Sequence, residues 1–383
     1  MRQPRALFLV NYDWFFVSHR LALGEALRDA GFDVGVAALR TGAHEVIEGA
    51  GLRFHPLPFE PGGRDPLHEA RTFAAIADLY RRERPSLVHQ VTIKPVLYGS
   101  LAARALRVPA VVNAVSGLGY MFIERPEDSP SLRALRSAVK LTYRAALAYP
   151  RARTIFQNPD DLATFEQAGM IPRSQARLIR GSGVDTARFP ATPLPAGPPL
   201  VVLPARMLWD KGIQEFVDAA HLVRQRIPEA RFALVGGVDR QNPAGIPEAT
   251  LAGWNARGEV EWWGHRTDMP AVLAQAHLVA LPSYREGLPL ALAEAASCGR
   301  ACVATDVPGC REVVRPGVTG WLVRPRNAVS LADTLIEALS SPEELERRGR
   351  AGRKMAEEEL SKAAVVQQTM ALYRELLGER WPG

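Results

Sequence analysis

The sequence predicts an α/β chain folded as two parallel-sheet domains that face each other across a cleft. Short apolar, β-branched runs alternate with longer helical patterns along its whole length, which is the rhythm of βαβ units. The alternation restarts after a Pro/Gly-rich stretch, FPATPLPAGPPL (189–200), that reads as a hinge. Finally, 383 residues exceed what one ordinary core holds.

In the first half, ALFLV reads as the opening strand, followed by a helix from about Ser18 to Ala30 that Gly31 ends. DVGVAAL is the next strand. SLVHQV leads into a helix from about Pro95 to Leu106, and PAVVNAV, TIFQN and ARLIRGSGVD supply further strands. The second half runs LVVLPAR, a helix from about Lys211 to Arg226, ARFALVGG, VEWWG and HLVALPS. An Ala/Leu-rich helix closing at Gly299, then ACVAT and GWLV, complete that sheet. The tail from Lys362 to Leu377 carries Ala, Val, Met and Leu at helical spacing. The expected domains are 1–190 and 191–362.

Composition narrows the class. Hydrophobic content of 47% and charged content of 23% fit a soluble globular protein. No apolar run reaches the roughly 18 to 20 residues that span a bilayer. MRQPRALFLVNYDWFF lacks a long apolar core and a small-residue cleavage site, so no signal peptide is expected. Cys298, Cys302 and Cys310 lack metal-site spacing and read as buried free thiols in a reducing cytoplasm. Residues 1–190 hold 25 Lys+Arg against 18 Asp+Glu, whereas 191–383 hold 22 against 23. Only the first half therefore suits an anionic partner, either a membrane or a nucleic acid. Within it, residues 129–156 contain six basic residues and no acid. Arg133, Arg136, Lys140 and Arg144 follow one helical face and Leu132, Leu135, Val139 and Tyr143 another. Such a helix suits an anionic membrane surface, or is simply an amphipathic surface helix. No nucleic-acid motif accompanies it.

The chemistry concentrates in LPSYREGLPLALAEAASCGR (281–300). A strand ends in a polar turn, and a helix N-terminus follows, an arrangement that presents free N–H groups to an anion. Glu286 stands just before the helix, with Pro289 in its first turn. Glu294 lies about two turns on, placed to share the crevice. Together they suit acceptance from sugar hydroxyls, although two glutamates at this separation also occur by chance. In PARMLWDKG (204–212), Arg206 and Lys211 follow a strand and reach the start of the next helix. Two cations and a helix end make a diphosphate site that needs no metal; they equally describe cations in solvent. Gly236 and Gly237 permit close backbone approach where a strand opens into a loop.

The spacing of Glu286 and Glu294, with the segments around it, resembles the retaining nucleotide-sugar glycosyltransferases of family 4. The likeness covers nearly the whole chain and is strongest over 199–325. It implies a GT-B fold, two facing Rossmann-like domains with an interdomain cleft, whose last helix (363–383) crosses back onto the first domain. It also implies catalysis by Arg206, Lys211 and Glu286 without a metal or other cofactor, a UDP-sugar serving as donor substrate. The base would be held by backbone at Trp263, Gly264 and His265, and the ribose by Glu294. Gly236, Gly237, Gly287, Leu288 and Leu290 would line sugar and phosphate. On the acceptor side, NYDWFFVSHRLALGEAL, VHQVTIKPVLYGSLAAR and VSGLGYMF resemble the bacterial subgroup that builds glycans on polyprenyl diphosphate carriers. They place Ser18 and His19, Thr92 and Lys94, and Ser116 and Gly117 at three strand-to-helix turns. A histidine that many relatives carry near 116–119 is missing, and Asn11-Tyr12-Asp13 replaces their double-glycine loop.

The resemblance implies a cytoplasmic enzyme, peripheral on the inner face of the membrane, that moves a hexosyl or N-acetylhexosaminyl group. A UDP-sugar 2-epimerase of the same fold and a non-catalytic glycan or lipid-carrier subunit are the alternatives. A nicotinamide site is disfavoured, because no G-x-G-x-x-G opens the first helix. No D-x-D occurs either, which disfavours metal-clamped transfer.

Overall fold

The computed structural model describes residues 3–60, 65–116, 129–240 and 242–382. The chain forms two compact units, one of Met1–Ser182 with Val365–Gly383 and one of Gly183–Ala364.

The first unit holds a seven-stranded sheet. Its strands are β1 (Arg5–Tyr12), β2 (Asp33–Leu39), β3 (Arg53–Pro56), β4 (Leu87–Val91), β5 (Ala110–Val115), β6 (Ala152–Phe156) and β7 (Ala176–Leu178). They pair in the order β3-β2-β1-β4-β5-β6-β7, every pair parallel. The second unit holds β8 (Leu200–Pro204), β9 (Arg231–Val235), β10 (Glu261–Trp262), β11 (Leu278–Leu281), β12 (Ala301–Thr305) and β13 (Gly320–Val323). Their order is β10-β9-β8-β11-β12-β13, again all parallel. Helices cover both faces of such sheets, so the strands read as continuous apolar runs. Leu200 to Leu203 and Leu278 to Leu281 are accordingly buried throughout.

Both sheets reverse their strand order once, between β1 and β4 and between β8 and β11. At such a point the connections leave in opposite directions, which opens a crevice beyond the carboxyl ends of the two strands. The fold thus prepares one crevice per unit before any functional side chain is considered.

Several local features differ from the sequence expectation. The first helix begins at Asp13 and breaks at Arg20, giving Asp13–His19 and Leu21–Asp29. Arg20 adopts φ −134°, ψ −5°, and its side chain turns inward, only 6% exposed. Ser18 and His19 consequently end the first helix rather than occupying the β1 turn. Before the helix Ile213–Arg224, a short 3-10 turn, Trp209–Lys211, and Gly212 intervene. Gly212 has φ +72°, and a Cβ there would stand 2.1 Å from the Pro282 carbonyl oxygen. Only glycine fits that contact. In the helix Pro130–Leu147, Arg133 and Arg144 are exposed but Arg136 is buried, so the expected row of outward cations is interrupted. Arg136 sits at the edge of that helical arc, where the helix meets the core. Leu132 and Leu135 lie outside the described side chains.

The helix Lys362–Leu377 buries Val365, Met370, Leu372, Tyr373 and Leu377 in the cluster that also holds Phe8, Phe16 and Leu27. Tyr373 Oη bonds the buried His89 Nδ1 on β4. The three cysteines are free and buried, and burial pushes the thiols of Cys298 and Cys302 up to about 11 and 12. Among the described residues no helix is long and apolar enough to cross a membrane.

Candidate active site

In the second unit the loops after β8 and β11 meet at the reversal of strand order. Lys211 Nζ donates to Glu286 Oε1 at 2.6 Å, and both side chains are mostly shielded, 20% and 12% exposed. The contact exists because Gly212 lets the β8 loop press on Pro282, and because Gly309 closes from the far side. Gly309 has φ +80°, and a Cβ there would stand 2.6 Å from the Glu286 carbonyl oxygen. Tyr284, two residues before Glu286, donates to Glu215 at 2.8 Å and lies under the Arg326 guanidinium at 4.6 Å. Burial and the Glu215 carboxylate push its hydroxyl up to about 12. The backbone that presents Glu286 is therefore fixed on three sides.

Arg206 stands on the same β8 loop, 62% exposed, and its Nη1 donates to Asp239 Oδ2 at 2.9 Å. Asp239 follows β9 and the Gly236-Gly237 pair. Gly236 is obligatory, since its Cβ would sit 1.7 Å from the Ala205 carbonyl oxygen. Its N–H donates to the Gly264 carbonyl at 2.8 Å, and Trp262 Nε1 donates back to the Gly236 carbonyl at 3.1 Å. His265 Cβ would be 3.4 Å from a Cβ at Gly237. Gly236, Gly237, Gly264 and His265 thus form one surface at the carboxyl ends of β9 and β10. Trp263 bonds Glu261 at 2.9 Å and packs on the core with Trp262.

The helix after Glu286 is Leu290–Ser297, with Pro289 at its cap position rather than in its first turn. Gly287 and Leu288 span the gap, and Leu288 and Leu290 pack against the core. Glu294 lies in this helix and is largely buried. Burial raises its carboxyl to about 7, against the pull of Arg188 and Lys362. The cations acting on Glu294 are therefore those two, not Lys211 or Arg206.

In the first unit, a cavity of about 220 Å³ opens at the reversal between β1 and β4. It is lined by Asn11, Thr92, Lys94, Ser116 and Tyr143, with Ile93 and Val115. Asn11 Oδ1, Thr92 Oγ1 and Ser116 Oγ are buried there without a hydrogen-bond partner among the described residues. Buried polar atoms are rarely left so, and three around one cavity mark a place for a polar ligand. Thr92 also has φ +77°, ψ 171°, a conformation open almost only to glycine. Lys94 is ion-paired with Glu69, which also accepts from Tyr98 Oη at 2.6 Å. Burial would raise the Glu69 carboxyl, but the Lys94 and Tyr98 bonds hold it below the usual range.

Ser18 and His19 lie apart from this lining. Ser18 Oγ is 2.6 Å from His19 Nδ1, and the His19 ring stacks on Phe15 at 4.2 Å. Gly117 lies outside the described residues.

In the sequence Asn11 and Asp13 stand out only as replacements for a double-glycine loop, and nothing there singles out Asp239 or Gly309. Asp13 is fully buried and accepts from the N–H groups of Trp14, Thr41, Gly42 and Ala43. It thereby ties the β1 turn to the loop after β2. Its signal was the strand-end position, where an acid favours a helix start. Among the described residues no cluster of His, Cys, Asp or Glu could hold a metal ion.

Residues 5–158 match the family model described as glycosyl transferase 4-like, and residues 198–341 the one described as glycosyl transferases group 1. The chain belongs to these GT-B glycosyltransferases. This glycosyltransferase is similar to N,N'-diacetylbacillosaminyl-diphospho-undecaprenol alpha-1,3-N-acetylgalactosaminyltransferase of Campylobacter jejuni. The two are 26% identical, with 82% of this chain and 84% of the relative covered. It is 24% identical to the UDP-Gal:alpha-D-GlcNAc-diphosphoundecaprenol alpha-1,3-galactosyltransferase of Escherichia coli, over 70% of each. Among solved structures, HepE of Anabaena in complex with UDP and glucose aligns with a TM-score of 0.76 at 19% identity. That alignment covers 97% of this chain and 99% of HepE.

Proposed function

We propose that this glycosyltransferase moves a hexosyl or N-acetylhexosaminyl group from a UDP-sugar, with retention, to a sugar hydroxyl on a polyprenyl diphosphate-linked glycan. The observation that carries the reading is the Lys211–Glu286 pair at the reversal of strand order. It sets a fixed cation beside a fixed hydrogen-bond acceptor in the crevice where such sheets bind nucleotides. Arg206 and Lys211 are the groups for the diphosphate. Negative charge grows on that diphosphate as the sugar–phosphate bond breaks, and preorganised cations there lower the barrier. The acceptor hydroxyl oxygen bonds the anomeric carbon while UDP departs, and its proton passes to a diphosphate oxygen. Glu286 orients the sugar through its hydroxyls, Glu294 takes the ribose diol, and Gly236, Gly237, Trp263, Gly264, His265, Gly287, Leu288 and Leu290 shape the donor pocket.

The cavity lined by Asn11, Thr92 and Ser116 is the acceptor site in this reading, because its unpartnered oxygens suit hydroxyls. The names of the Campylobacter and Escherichia relatives, both of which specify diphospho-undecaprenol acceptors, support a carrier-linked acceptor. In this reading the enzyme works at the inner face of the cell membrane, with the exposed Arg133 and Arg144 toward anionic lipid.

The test is incubation with a panel of UDP-sugars and a polyprenyl diphosphate-linked sugar, read by mass spectrometry. A product heavier by one sugar is expected. Epimerised sugar nucleotide formed from donor alone, with no transfer, would overturn the reading in favour of a 2-epimerase.

A further inference from the structure

At the opposite edge of the second sheet, where β12 begins, lies a cavity of about 330 Å³. Its walls are the chain segment 191–194, Gly299 and Arg300, and one face of the helix Pro342–Glu358 that carries Glu346, Arg350 and Arg353. Arg206, Lys211 and Glu286 follow the carboxyl ends of their strands. This cavity borders the amino end of β12, so the five-residue length of that strand, roughly 16 Å, separates the two edges.

The cavity is built around a buried charge that bonds no carboxylate among the described residues. Arg300 is 1% exposed. Its Nε donates to the Leu273 carbonyl at 2.9 Å, Nη1 to the Thr192 carbonyl at 3.0 Å, and Nη2 to the Pro193 carbonyl at 3.0 Å and to Thr192 Oγ1. Its partners among the described residues are neutral oxygens, and burial lowers its pKa. A buried guanidinium served only by neutral carbonyl and hydroxyl oxygens keeps its full charge, which is costly unless an anion stands nearby. Two more guanidinium groups face the same space. Arg353 Nη1 holds the carbonyls of Phe189 and Ser297 at 2.8 and 2.7 Å and its Nε bonds Glu357, while Nη2 has no partner among the described residues. Arg350 is exposed and among the described residues bonds only Glu346, at 3.2 Å. Gly349 brings the helix this close, because a Cβ there would stand 2.1 Å from the Gly299 carbonyl oxygen.

We infer that this cavity is a second anion site that takes the phosphate or diphosphate group of a small soluble molecule. Three guanidinium groups stand against two carboxylates, Glu346 on Arg350 and Glu357 on Arg353, so one positive charge, that of Arg300, is left in excess, and planar forked donors suit phosphate oxygens. The volume admits more than a bare phosphate. A bound anion neutralises Arg300, engages Arg353 Nη2 and displaces Glu346 from Arg350. It also tightens the 189–193 segment, whose carbonyls Arg300 and Arg353 already hold.

Inorganic pyrophosphate is the probe, and isothermal titration calorimetry the measurement. The Arg206→Ala, Lys211→Ala double variant removes the donor-site cations and should still bind one pyrophosphate. Adding Arg350→Glu should weaken that binding at least about tenfold, as loss of a charge-assisted contact with reversed charge requires. Its melting temperature without ligand should fall only slightly, since Arg350 is exposed and the change costs one i,i+4 helix pair with Glu346. No binding to the double variant, or binding indifferent to Arg350→Glu, overturns the site. Phosphatidylglycerol vesicles form a second arm. Sedimentation with vesicles that Arg350→Glu abolishes would assign the pocket to a lipid headgroup and overturn the soluble ligand.

Discussion

Lys211 Nζ and Glu286 Oε1, 75 residues apart in sequence, stand 2.6 Å apart over the gap between β8 and β11. Neither side chain is free to wander: Gly212 locks the first loop against Pro282, and Gly309 locks the second. The pair therefore acts as a unit, each member setting the other's position.

Substitutions in a unit do not add. Lys211→Ala should lower kcat by about 10²–10³-fold, the usual cost of removing one charge stabiliser from a transition state. Glu286→Ala should cost a similar factor, and the double variant little more than either single one. Steady-state kinetics on the three proteins checks this. A double variant whose loss equals the product of the single losses would show that the two groups act independently.

Glu294 gives a pH signature. Burial holds its carboxyl at about 7, so it loses its charge as pH falls through neutrality. In the proposed donor site the carboxylate would accept from both ribose hydroxyls, whereas the acid form would spend one oxygen as a donor. kcat/KM for the donor should therefore fall below pH 7, by up to about tenfold per pH unit. Glu294→Gln should give a low, flat profile over pH 6 to 8. A wild-type profile that is also flat over that range would remove Glu294 from donor recognition.

The two sheets were legible because their strands are apolar on both faces and punctuated by glycine or proline. GWLV and DVGVAAL became β13 and β2 at the residues read. β3 was not legible: Arg53, Phe54, His55 and Pro56 are half polar, as suits the sheet edge it occupies. The helix Pro342–Glu358 was missed for a related reason, since its dense charges mask an apolar stripe of Leu345, Met355 and Ala356. At the site, motifs named Lys211 and Glu286 but could not show their contact. The pairings of Arg206 with Asp239 and of Lys94 with Glu69 were likewise invisible, because the first joins loops after different strands and the second joins two helices, Pro66–Glu83 and Ile93–Ala105. Buried orphans such as Asn11 Oδ1 leave no trace in sequence at all.

Tyr373 links the last helix to the first sheet through His89. Burial, with the Arg20 charge beside it, holds the His89 ring well below its ordinary pKa, so the ring stays neutral. Its Nε2 already lacks a partner among the described residues. Tyr373→Phe would leave Nδ1 unpaired as well, at a cost of about 1–3 kcal/mol. Hydrogen exchange checks this better than one melting curve, because two units need not unfold together. Amides of β4 and of Lys362–Leu377 should lose protection together, and those of β8 to β13 should not. Unchanged exchange in β4 would show that the apolar contacts of the helix suffice.

Thr92 holds a backbone conformation that a β-branched residue avoids, at a cost of about 1–3 kcal/mol. Glycine would relieve that strain and lose roughly 0.5–1 kcal/mol to its greater freedom when unfolded. Thr92→Gly should thus stabilise the first unit slightly, by about 1 kcal/mol, seen as slower exchange of β4 and β5 amides. Thr92 lines the cavity with Asn11 and Ser116, and its hydroxyl has no partner among the described residues, which in the proposed acceptor site leaves it for a sugar hydroxyl. The same variant should then raise the acceptor KM about tenfold, the effect of losing one hydrogen bond to a sugar hydroxyl, and leave the donor KM unchanged. Greater stability with both KM values intact would mean that Thr92 carries its strain for some purpose other than acceptor binding.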